Sequence, residues 1–183
     1  MENHADAARL ALLRNQFDLT WALLEYHLDR LVEADVHWEP APLCWAVRQG
    51  DNGRWVPDWA DAEPDPVPVP TVAWLTWHVD WWWTTALRLL RGEEPPAREA
   101  VVWAGDGAAA VTRLRALREE WAAALADGSP GALDAEAPFP WPPGSDRTAA
   151  DTAAWVNAEL MKNAAEIGQL RLLRAAGARP TAG

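Results

Sequence analysis

Four stretches of the chain carry apolar residues at helical spacing, and most of the prolines lie between them. In residues 5–34, Leu10, Leu13, Phe17, Trp21, Leu24, Leu28 and Leu31 recur at three- and four-residue steps. No Pro or Gly interrupts them, which predicts one continuous helix. Glu25, Asp29, Arg30 and Glu33 form its solvated side, and His27 lies at the edge of the apolar stripe or on it. Residues 71–91 predict a second helix. Pro70 precedes it, Thr71 can cap it and Gly92 follows it. Leu75, His78, Trp82 and Leu89 share one face, while Trp74, Trp77, Trp81 and Trp83 widen the apolar surface beyond one stripe. This helix is therefore expected to be largely enclosed. Residues 106–126 predict a third helix, capped by Asp106 and buried along Val111, Leu114, Leu117 or Arg118, Trp121 and Leu125. Residues 147–176 predict the last. Trp155, Val156, Leu160, Asn163, Ile167, Leu170 and Leu173 follow its inner face, and Gly177 and Pro180 end it.

The segments between differ sharply in composition. Residues 35–70 hold Pro40, Pro42, Pro57, Pro64, Pro66, Pro68 and Pro70, which exclude a long helix. They also hold Trp38, Trp45, Trp55 and Trp59, more large aromatics than a disordered linker carries. The expectation is an ordered cover pinned to one end of the helices, finishing in extended polyproline-like chain. Residues 92–104 and 127–146 are further Pro- and Gly-containing connections. Nothing reads as a strand of any length. The fold class is all-α: a four-helix bundle, one domain over 1–183, with long ordered Pro/Trp-rich loops.

Composition removes several function classes. With a formal net charge of −11 and a pI near 4.7, the chain lacks the clustered cations that nucleic-acid phosphates require. Lys162 is its one lysine. No apolar run is long enough to span a membrane, no basic face suits a lipid surface, and the acidic N-terminus does not read as a signal peptide. A cytoplasmic location is the simplest expectation. Cys44, the single cysteine, excludes an intrachain disulfide and a multi-cysteine zinc cluster. Its apolar neighbours suggest packing.

Candidate chemistry gathers on two helices. His78 points where the apolar residues of its helix point, so its imidazole is either a neutral structural group or a metal ligand. On the last helix Glu159, Asn163 and Glu166 form one polar line beside the apolar stripe. Facing helices bring such a line opposite His78, and bundle interiors are where carboxylates and histidines make metal sites. Without a metal, a His78–glutamate hydrogen bond is the expected replacement.

The chain resembles the DinB/YfiT-like proteins. The resemblance rests on Trp-Leu-Thr-Trp-His78-Val, on Trp45-Ala-Val-Arg48 followed by Gly53-Arg-Trp55, and on Glu159, Asn163-Ala-Ala-Glu166 and Ile-Gly-Gln-Leu-Arg171. With the helix order it covers nearly the whole chain. It implies a bundle of four main helices, a homodimer, and a divalent metal, zinc or nickel, held by one histidine of the second helix and two of the last. His78 matches the first. Asn163 and Glu166 stand where the other two are expected, so the implied metal set is His78, Asn163 and Glu166, joined by His27. Glutamate is a competent ligand and asparagine a poor one. The resemblance further implies a low-molecular-weight thiol and S-transferase or isomerase chemistry, with Glu159 or Glu166 as catalytic groups. Arg48, Trp82 and Arg171 would then hold a small-molecule substrate. The alternative is a non-catalytic small-molecule binder that has lost the metal. An excess of apolar aromatic surface adds to the expectation of self-association.

Overall fold

The computed structural model describes residues 2–126, 131–137, 139–142 and 144–177, with side chains from residue 6 onward. It is mostly helical. The long helices are α1 (Glu2–Leu28), α3 (Val72–Leu90), α4 (Gly107–Ala126) and α5 (Ala149–Gly177). A single turn, α2 (Glu33–Val36), follows α1.

The expected helix over 5–34 is corrected to α1, a turn at Asp29 and Arg30, and α2. No helix-breaking residue is responsible. Asp35 is buried and accepts a hydrogen bond from the Val32 amide at 2.9 Å, which caps α2. Its other oxygen pairs with Arg174 of α5. That tertiary ion pair stops α1 where sequence periodicity alone would continue it. Leu31 remains packed against the core across the turn, so the apolar spacing persists although the helix does not.

The other helix ends follow local chemistry. The Thr71 hydroxyl accepts from the Trp74 amide at 3.2 Å, and Asp106 accepts from the Ala109 amide at 2.7 Å. Gly92, at φ +71°, ends α3 in the left-handed conformation that favours glycine. Gly177 closes α5 as expected, whereas Pro180 lies outside the described residues.

Long side chains fix the helix directions. Arg115 of α4 reaches Glu25 of α1, and Arg14 reaches the Leu125 carbonyl, so α1 and α4 run antiparallel. Arg113 meets Asp80 and Arg91 meets Glu120, so α3 and α4 run parallel. Asn157 donates to the Leu13 carbonyl while His27 lies on Gly168, so α1 and α5 run parallel. Helix α5 packs on α1 and α3, and α4 packs on the same two. The parallel α3–α4 pair explains the length of the connection at 92–104: the chain must return along a whole helix before α4 can start. A Cβ at Gly168 would come within 2.4 Å of the His27 ring. The α1–α5 crossing therefore depends on that glycine.

Residues 35–70 are ordered and largely non-helical, as expected. The expectation of no strands holds only for long ones. Strand β1 (Cys44–Trp45) pairs in parallel with β4 (Val69–Pro70), and β2 (Val47–Gln49) forms an antiparallel hairpin with β3 (Trp55–Pro57). At two to three residues these strands leave no periodicity to read. Tryptophans hold down this cover and the 92–104 connection. Trp74 donates to the Asp58 carbonyl at 2.8 Å, Trp77 to the Val101 carbonyl at 2.8 Å, and Trp103 to the Thr76 hydroxyl at 3.0 Å. A second apolar cluster of Val36, Val47, Ala73, Trp77, Trp103 and Ala110 lies beneath it, distinct from the main core between the long helices. Cys44 is half-buried, its thiol donating to the Ala41 carbonyl at 3.0 Å.

Candidate functional site

One face of α3 meets one face of α5 where the polar residues of both lie. Trp82, fully buried, donates from its indole nitrogen to the Asn163 side-chain oxygen at 3.3 Å. The Asn163 amide nitrogen donates to a Glu166 carboxylate oxygen at 2.9 Å. Asn163 is thus buried with both ends engaged. Glu159 accepts from Lys162 at 2.5 Å.

His78 lies one turn before Trp82. Its ring stacks on Trp74 at 4.7 Å between centroids and 15° between planes, and Trp81 lies tilted against it at 5.7 Å. Trp45 of the cover stacks in turn on Trp74 at 5.8 Å. Indoles cannot solvate a cation as water does, and burial pushes the imidazole pKa down to about 4, with the Lys162 ammonium contributing. At neutral pH His78 is uncharged. Its Nδ1 is buried and has no hydrogen-bond partner. Among the described residues no glutamate accepts from or donates to this atom; Lys162 engages Glu159 and Asn163 engages Glu166.

The remaining candidates lie apart from this centre or at its edge. His27 is half-buried against Gly168. Burial lowers its pKa, and Arg171 and Arg30 lower it further. Arg171 therefore faces His27. Arg48 is exposed on β2 and pairs with Glu39 at 3.3 Å and Asp58 at 3.5 Å, which ties the cover to itself. Among the described residues no three His, Cys, Asp or Glu side chains converge to hold a metal ion, so His27, His78 and Glu166 do not form one group. The donors present do not fit a three-imidazole centre. One neutral imidazole and one carboxylate remain, and the Asn163 amide is both a weak ligand and already bonded.

Sequence reading missed three members of this site, Trp74, Trp81 and Lys162. The aromatic bracket of Trp74 and Trp81 about His78 follows from i−4 and i+3 spacing, a signal available in the sequence. Lys162 was available only through its rarity. No helix is long and apolar enough to cross a membrane among the described residues.

No curated protein and no solved structure matches the chain. A model of the DinB superfamily matches residues 16–167, which takes in α3, the Trp-rich cover, and the segment of α5 carrying Glu159, Asn163 and Glu166. On that match, covering most of its length, the chain belongs to the DinB superfamily.

Proposed function

We propose that the protein is a DinB-type four-helix bundle that binds a small molecule between α3 and α5, with neutral His78 as the group that recognises it. The observation that carries this reading is the buried, unpartnered Nδ1 of His78 between two indoles. A buried polar atom without a partner costs roughly 1–3 kcal/mol, which a bound molecule relieves when it supplies the missing bond. The indoles offer flat apolar walls, and the imidazole offers one polar anchor, the usual division of labour in a ligand site.

His78→Phe tests this, since it keeps a flat ring in the stack and removes both nitrogens. A thermal-shift panel of small thiols, carboxylates and amines should contain a compound that raises the melting temperature of the parent and not of His78→Phe. Equal shifts in both proteins would remove His78 from recognition.

A second reading is favoured by the protonation state alone. A neutral imidazole with a free nitrogen is the form that ligates zinc or nickel. Here His78 and Glu166 would be the ligands of a metal-dependent enzyme of the thiol S-transferase or isomerase kind, with Glu159 as a further acid–base candidate. Such a metal would lower a thiol's pKa and so make thiolate available near neutral pH. Calorimetric titration with zinc and nickel, beside His78→Ala, separates the readings. Tight binding by the parent alone supports the enzyme. Equal binding by both excludes His78 as a ligand.

A further inference from the structure

The tip of the β2–β3 hairpin reads Asp51-Asn52-Gly53-Arg54. Of the chain's five asparagines, Asn52 is the one followed by glycine. Asn157 and Asn163 are buried on α5, whereas Asn52 and Gly53 are both exposed. The Asn52 side-chain oxygen accepts from the Arg54 amide at 3.0 Å, the local turn that asparagine makes with the amide two residues on. That bond polarises the side-chain carbonyl. Gly53 lies at φ +75°, where glycine is unstrained, and it has no Cβ to obstruct a ring closing on its nitrogen. Its amide donates to the Gly50 carbonyl at 2.9 Å. At an exposed loop tip such a bond opens locally at little cost, which frees the nitrogen.

We propose that Asn52 is a site of non-enzymatic modification, converted through a cyclic imide with Gly53 to aspartate and isoaspartate, and that the isoaspartate form loosens this end of the cover. The Gly53 amide gives its proton to a solvent base, and its nitrogen attacks Asn52 Cγ. The N–Cγ bond forms, the Cγ–Nδ2 bond breaks, and Nδ2 takes a proton and leaves as ammonia. The Arg54 amide, already on the side-chain oxygen, stabilises the negative charge that develops there. Water then opens the imide. Cleavage at Cγ gives aspartate at residue 52. Cleavage at the backbone carbonyl leaves the chain running through Cγ, as isoaspartate, with one extra main-chain atom. Nothing is oxidised or reduced, and water is the co-reactant. Aspartate keeps an acceptor for the Arg54 amide and adds a charge beside Asp51. Isoaspartate does not fit the turn. The lengthened chain displaces Arg54, whose carbonyl accepts from the Gly50 amide at 2.8 Å and closes the hairpin. Trp55 follows directly. It stands opposite Gln49 in the hairpin, stacks on His37 at 5.2 Å and meets Trp103 edge-on at 5.0 Å.

The folded full chain, held for days at pH 8 and 37 °C, should gain one dalton at Asn52 before any change at Asn15, Asn157 or Asn163. Peptide mapping locates the gain, and electron-transfer fragmentation should find isoaspartate there. Asn52→Gln should lack the gain over the same time, since its imide needs a larger ring that closes more slowly. In the isoaspartate form, separated by ion exchange, the Gly50 amide should exchange with solvent at least roughly tenfold faster than in the fresh protein. Asn52→Asp supplies the charge without the extra atom and should leave that exchange unchanged. A folded chain that keeps Asn52 intact while the urea-unfolded chain loses ammonia there overturns the proposal, because the turn then protects the residue. So does earlier loss at another asparagine, or an isoaspartate form whose Gly50 exchange matches that of the fresh protein.

Discussion

His78 is the residue whose chemistry is least ordinary. Its folded pKa of about 4 lies below the usual 6.5. Between those values the unfolded chain binds a proton that the folded protein does not, so stability rises with pH across that window. Above about pH 6.5 the contribution is constant. As pH falls from 6.5 to 4 it declines by roughly 3 kcal/mol, and below 4 the decline ends. Urea midpoints at pH 7, 5.5 and 4.5 should show the slope, and His78→Phe should flatten it. An unchanged slope would assign it to other groups. Trp82 makes a second test at this scale. Trp82→Phe removes the donor to Asn163 and leaves a buried amide oxygen without its partner. The loss expected is about 2 kcal/mol plus any effect of the smaller ring. Denaturant unfolding reads it directly.

At the scale of the element, the break between α1 and α2 depends on one buried carboxylate. Asp35 caps α2 with one oxygen and pairs with Arg174 with the other. Asp35→Ala leaves the partly buried Arg174 guanidinium uncompensated, and breaking such a pair costs about 3–5 kcal/mol. Arg174→Met should cost a comparable amount, because it leaves the more deeply buried Asp35 carboxylate with only the Val32 amide. A negligible loss from Arg174→Met would show that the ion pair contributes little, and denaturant unfolding reads both. The four long helices were legible because each stays amphipathic or apolar over many turns. The short strands were not, since a two-residue ladder exists only where Cys44 and Val69 are brought side by side by everything around them.

At the scale of the whole molecule, the parallel run of α3 and α4 decides how the chain connects. It forces the return connection at 92–104, which Trp103 anchors to α3 through Thr76. Shortening that connection should therefore disrupt packing far more than an equal deletion in an exposed turn, as melting curves would show.

Sequence alone determined the helical class, the positions of α3, α4 and α5, and the ordered Trp-rich cover. Those features are local or periodic, so each is written in spacing and residue type. Only the tertiary structure decided how the polar line is used. Trp82 engages Asn163, Lys162 engages Glu159, and Nδ1 of His78 is left without a partner. It also decided that α1 stops at Leu28 and that His27 faces Gly168 and Arg171. A helical repeat states which residues share a face. Which atom on that face bonds to which depends on the angle and register of two packed helices, and neither is encoded in either helix alone.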